Sequence, residues 1–200
     1  MEISEKYILK KVVINCPYYI AWDKWTTHEG LLTFFGADNK IELTPGGAFE
    51  IYFMMDQPYG LRGSEGCKVL SVLPKEMFSF SWNAPPQFSE VRNSKFYTAV
   101  IVQFKPTAEN LTEVSITHAD WPTDKRWDPV YDYFDKAWDV VMKGVEESCK
   151  WLIQVEPDET LALLPPFFYN NAVMVSKVPS PKGIEERRRT TTQNNIGKKK

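Results

Sequence analysis

Residues 127–154 read WDPVYDYFDKAWDVVMKGVEESCKWLIQ. Trp127, Tyr131, Phe134, Trp138, Val141, Val145 and Leu152 fall at steps of three, four or seven, which places them on one stripe of an α-helix. Asp132, Asp135, Lys136, Asp139, Lys143 and Glu146 lie largely off that stripe. The spacing predicts one helix from about Pro129 to about Gln154, ~38 Å long at 1.5 Å per residue. That length crosses a small sheet. Gly144 is its weak point, because glycine costs helix stability.

Upstream, from Lys40 to His118, the hydrophobic period is two rather than 3.6. Lys40–Leu43 reads as a short strand, and Thr44-Pro45-Gly46-Gly47 as a turn whose glycines are free to take positive φ. Phe49, Ile51 and Phe53 share one face of the next strand, opposite Glu50 and Tyr52. A loop over Gly60–Gly66 is expected to be mobile, at the rim of the sheet. Strands follow over Cys67–Leu73 and Met77–Trp82, the second with Phe78, Phe80 and Trp82 on one face. Ala84-Pro85-Pro86 stops it, since proline has no N–H to give the ladder. Thr98–Phe104 and Leu111–His118 form a last hairpin, and Thr112, Val114, Ile116 and His118 line one face of its second strand.

The N-terminal part completes the order. Lys6–Asn15 reads as a strand closed by Cys16-Pro17, and Tyr18, Ala21, Trp22 and Trp25 then take helical spacing. Thr26–Gly30 breaks that helix, and Leu31, Leu32, Phe34 and Phe35 supply a second one. The fold class expected is therefore α+β: an antiparallel sheet of about six to seven strands packed on a long C-terminal helix, with two short helices after the first strand.

The length allows one domain and an appendage, and the domain can bury its core without covalent staples. Cys16, Cys67 and Cys149 are odd in number and lack C-x-x-C spacing, so they read as idle thiols. The N-terminus lacks the pattern of a secretory signal, and no run approaches the length of a membrane span, so a cytoplasmic location is expected. Lys182, Arg187, Arg188, Arg189, Lys198, Lys199 and Lys200 give the last twenty residues a net charge of +5 against −7 for the rest. An acidic body is not expected to bind nucleic acid. Expected boundaries are a domain over 1–155, an apolar extension over 156–180 docking on that domain or on a second copy, and a basic disordered tail over 181–200.

No common catalytic signature is present. Only two histidines occur, ninety residues apart, and there is no H-E-x-x-H, G-x-S-x-G or phosphate-binding loop. No metal and no cofactor are expected. His118 has two readings: a core histidine bonded to backbone or to Thr112, or a group that orients a ligand or acts as an acid-base at a pocket wall. Glu42 and Glu50 come nearest to it by phase and are expected to face water. Trp25, Phe49, Phe80, Trp82, His118, Trp121, Tyr133, Phe134 and Trp138 converge by strand and helix phase on the space between sheet and helix. They are the candidate lining of one apolar core or cavity.

Several segments, in order, resemble the family similar to the activator of the heat-shock-protein ATPase, within the START-like (SRPBCC) superfamily. They are AWDKWTTHEGL at 21–31, IELTPGGAFE at 41–50, GSEGCKVL at 63–70, FSWNAPP at 80–86, THADW at 117–121 and YDYFDKAW at 131–138. The resemblance covers about residues 5–155 and implies the helix-grip fold, in which a curved antiparallel sheet clasps the terminal helix. Asp120 departs from the glycine expected before Trp121, but aspartate tolerates the left-handed turn. Members include ligand carriers, co-chaperone-like modules and some enzymes, so the resemblance does not select one activity. The functions it leaves are binding a small hydrophobic molecule between sheet and helix, contacting a protein partner, or, weakest for want of a nucleophile, cyclase- or hydrolase-like catalysis. A homodimer is compatible with each.

Overall fold

The computed structural model describes residues 1–150. The expectations for 156–180 and 181–200, and for the helix beyond Lys150, lie outside the described residues.

Strand β1 (Ile8–Ile14) is followed by helices α1 (Tyr18–Thr26) and α2 (His28–Leu32), then by β2 (Asp38–Ile41) and β3 (Phe49–Tyr52). Next come β4 (Val69–Leu73), β5 (Met77–Trp82), a single helical turn α3 (Ser89–Arg92), β6 (Thr98–Ala108) and β7 (Leu111–Ala119). A 3₁₀ turn over Lys125–Trp127 leads into helix α4 (Asp128–Lys150). The order is the expected one, with the turns at 89–92 and 125–127 added.

The seven strands form two sheets rather than one. Five make an antiparallel sheet in the order β1-β7-β6-β5-β4, while β2 and β3 pair separately. The smaller sheet is tied to the larger beside the start of β4 by an isolated bridge, Ala48 to Lys68. Opposite β3 the chain runs through 62–68, which meets it antiparallel at separate points, such as the Tyr52–Gly63 bridge and the Phe49 N–H bond to the Cys67 carbonyl, rather than in a continuous ladder. Pro17 stands one residue before α1, at its N-cap position, and the break before α2 is confined to Thr27, whose hydroxyl accepts a hydrogen bond from the Gly30 N–H at 3.0 Å. Side-chain capping of this kind satisfies an N–H that the first turn leaves over.

Helix α4 buries Val130, Phe134, Trp138, Met142, Val145 and Cys149 and packs against β1. The buried stripe thus runs through Val130 and Met142 rather than Tyr131 and Val141, which are only partly buried. Gly144, the weak position in the sequence, lies against the backbone of Phe34, where an added Cβ would come within 3.3 Å of the Phe34 carbonyl. Close approach of two backbones accounts for a glycine inside this helix. Lys6 pairs with Asp128 at 2.6 Å, and Lys10 with Asp135 and Asp139 at 3.0 Å, along the solvent edge of the same contact.

Candidate functional site

A groove of about 830 Å³ runs beside α4. One wall is helical, from Pro129 through Tyr133 and Ala137 to Val141. Opposite stand Phe53, Met54, Gly63 and Ser64 from the segment after β3, and Pro85 and Pro86 after β5. Phe35, Trp82, Phe134 and Trp138 complete the apolar surface. These aromatics are stacked or tilted against one another: Phe35 lies 5.8 Å from Trp82 and 5.9 Å from Trp138, centroid to centroid. Such contacts fix ring orientations and leave the apolar wall preformed.

Polar groups are few. Asn83 donates to the Glu65 carbonyl at 3.1 Å, and the Ser64 hydroxyl accepts from the Ile51 N–H at 2.7 Å, so both already serve the scaffold. Asp132 and Lys136, one helical turn apart, bring charges of opposite sign to the groove. Between them they impose no net charge on an occupant.

The loop Gly60–Gly66, expected to be mobile, is tied down. The Glu65 carboxylate accepts from the N–H groups of Gly60 at 2.8 Å, Arg62 at 2.7 Å and Gly63 at 2.9 Å, and from the Arg92 guanidinium at 3.2 Å. Arg92 also donates to the carbonyls of Gly60, Gly63 and Ala84. Burial works against the charge on Glu65, but the N–H groups of Glu65 itself, Arg62, Gly63 and Gly60 outweigh it and hold the carboxyl below its usual range. Glu50, expected to face water, is buried at the base of this loop. It accepts from the hydroxyls of Tyr52 at 2.6 Å and Tyr59 at 3.1 Å and from the Gly66 N–H at 2.9 Å. Those donors allow a carboxylate to be buried there.

The nine aromatic and histidine candidates separate into two sets. Trp82, Tyr133, Phe134 and Trp138 line the groove. Trp25, Phe49, Phe80, His118 and Trp121 do not; they are fully buried behind it. Phase brought all nine to one side of the sheet, but it does not say which rings border the groove: Trp138, 1% exposed, does, and Trp121, equally buried, does not. Trp25 packs on Phe34 and Phe35, and Phe49 stacks on Phe80 at 4.0 Å, so those rings spend their surface on each other.

His118 sits under the groove, not in it. The Trp138 indole N–H donates to its Nδ1 at 2.9 Å. An indole nitrogen can only donate, so the imidazole proton is on Nε2, which donates to the Thr98 hydroxyl at 2.7 Å. That hydroxyl donates onward to the Trp82 carbonyl at 3.0 Å. Burial alone drives the His118 pKa well below its ordinary value, so the ring is neutral. Thr112, the partner expected for His118, instead donates to the Cys16 carbonyl at 2.8 Å. Asp120 adopts the left-handed conformation, φ 63°, and the chain reverses so that Trp121 lies over the imidazole at 4.3 Å and donates to the His118 carbonyl. Histidine thereby joins the groove wall at Trp138 to the strand carrying Trp82.

Sequence reasoning missed Phe35, Ala137 and Val141 in the wall. Tyr133, Ala137 and Val141 form a second i, i+4, i+8 row on α4 beside the buried stripe, and that row is the signal that could have found the last two.

The sequence has no significant match among curated proteins. The fold recurs in solved structures. A protein from Mesorhizobium loti is 17% identical, with 76% of this chain and 99% of that one covered and a TM-score of 0.59. The Aha1 dimer from Colwellia psychrerythraea is 19% identical, with 72% and 96% covered and a TM-score of 0.52. An HSP90 activator from Plasmodium falciparum is 16% identical, with 68% and 90% covered and a TM-score of 0.52. A family model described as "Activator of Hsp90 ATPase homolog 1-like protein" matches residues 15–148, from the end of β1 to the last turn of α4. With its element order, groove and helix wall all inside that match, the chain belongs to the Activator of Hsp90 ATPase homolog 1-like family.

Proposed function

We propose that this protein binds a small hydrophobic molecule in the groove between α4 and the 53–64 and 83–87 segments. The observation that carries the reading is the groove itself. Its volume of about 830 Å³ falls within the range of small-molecule sites, and aromatic rings, prolines and aliphatic side chains dominate its walls. Ser64 and Asn83 are engaged by the scaffold, and Asp132 and Lys136 balance in charge, which favours an occupant with an apolar body and no obligatory net charge. An occupant displaces water from apolar surface, and that transfer drives binding.

The test is fluorescence titration with the apolar probe 1-anilinonaphthalene-8-sulfonate, alongside native mass spectrometry of freshly purified protein. Wild type is expected to bind one probe, and Ala137→Trp, which fills the groove from its helical wall, is expected to weaken that binding at least tenfold at similar Tm. Equal binding by both proteins would remove the groove as the site.

A second reading rests on the family: co-chaperone-like contact with an Hsp90-type ATPase. Stimulation of such an ATPase by the purified chain, undiminished in Ala137→Trp, would favour it and place the contact elsewhere.

A further inference from the structure

Cys16 and Cys149 are 133 positions apart in sequence, yet their sulfurs lie 3.0 Å apart. Cys16 follows the end of β1, and Cys149 is in the last described turn of α4. Both side chains are buried, and both cysteines are free thiols. The Cys16 backbone is anchored from a third element by the Thr112 hydroxyl. Closing the pair to a disulfide at about 2.05 Å requires the sulfurs to approach by roughly one ångström.

The surroundings are unusual for idle thiols. Lys24 of α1 is buried nearby, and among the described residues its only polar contact is the Thr33 hydroxyl at 3.4 Å. Burial pushes the lysine pKa down, while the two cysteine sulfurs act the other way. Either thiol can donate in the contact between them, and the Lys24 charge favours the thiolate on both sulfurs. A thiolate on either sulfur lies within reach of the other, so one can attack and the other resolve.

We propose that Cys16 and Cys149 form a reversible disulfide on exposure to a peroxide, a redox clasp that fastens α4 at Cys149 to the end of β1. The thiolate of one cysteine attacks one peroxide oxygen, the O–O bond breaks, and the departing hydroxide takes a proton to become water. The sulfenic acid that remains is attacked by the sulfur of the other cysteine, the S–O bond breaks, and a second water leaves with the remaining proton. Two thiols are oxidised to one disulfide, and hydrogen peroxide is reduced to two waters. Entry of so small an oxidant needs only local opening of the helix around Cys149. Cys67 is the internal control: it is buried, and the Cys16–Cys149 contact does not involve it.

The test is peptide mapping under non-reducing conditions of the full chain treated with hydrogen peroxide, with Tm read before and after. The expected result is a monomer that has lost two hydrogens, with the Cys16 and Cys149 peptides linked and Cys67 still alkylatable. A cross-link closing a loop of this length is expected to raise Tm by roughly 5–10 °C, reversed by dithiothreitol. Cys149→Ser is expected to keep the reduced Tm and lose the response, and Cys67→Ser to retain it. The proposal is overturned by linkage through Cys67, by intermolecular linkage, or by recovery of Cys16 and Cys149 as thiols or sulfinic acids. Mapping of the wild-type chain decides the matter even if a serine variant fails to fold.

Discussion

The imidazole of His118 shows how far a single residue can be read from sequence. Strand alternation correctly sends it inward with Thr112, Val114 and Ile116, all buried. Alternation gives direction but not depth, and it cannot reveal that Trp138, on an element 20 positions later, supplies the donor that fixes the tautomer. The result is a neutral histidine with both nitrogens occupied. Its folded-state pKa lies below the unfolded value of about 6.5, so the unfolded chain takes up a proton that the native state refuses. The stability this contributes is full above about pH 6.5 and is lost as pH falls below it, at up to about 1.4 kcal/mol per pH unit. Urea unfolding between pH 5 and pH 7.5 is expected to show that slope in wild type and a flatter one in His118→Gln. Identical slopes would mean that the ring is protonated in the folded protein. Cys16 and Cys149 mark the opposite limit: the sequence holds no spacing signal for them, because a contact across 133 positions belongs to the tertiary fold.

Elements were more legible than residues. The change of hydrophobic period at Trp121-Pro122 located α4, and Pro17 located α1, because both signals arise within a few residues of the boundary they mark. What the pattern could not supply was the division of seven strands into five and two, which depends on long-range pairing. The Gly60–Gly66 loop was misjudged for a related reason: its three glycines suggest freedom, whereas its order comes from Glu65 and from Arg92, 27 positions on. Their side chains are only 4% and 11% exposed, so removing one partner leaves an uncompensated charge. Glu65→Ala is accordingly expected to cost about 3–5 kcal/mol in chemical denaturation. It is also expected to weaken probe binding, since Gly63 and Ser64 form part of the groove wall. A loss below about 1 kcal/mol would show that the loop holds its shape without the ion pair.

At the scale of the whole molecule, the family match ends at residue 148, and the forty-five residues beyond Val155 are to be accounted for by composition. Those residues are not uniform. Leu161, Leu163, Leu164, Phe167, Phe168, Tyr169, Val173, Met174 and Val175 are too apolar for a free linker, whereas beyond Pro179 the sequence turns basic and polar. Apolar runs left in water promote association, so the 156–180 segment is expected to be buried, either on its own domain or on a second copy. Folding back is the expected outcome, because a tethered segment meets its own domain at a higher effective concentration than it meets another chain. A chain ending at Val155 distinguishes these cases. Intramolecular docking predicts a monomeric but less stable and less soluble domain, with a lower Tm at every protein concentration. Docking on a second copy predicts that the full chain sediments as a dimer and that the truncated chain does not. A truncated chain as stable as the full one, with both monomeric, would assign the segment to a different partner and refute docking of either kind.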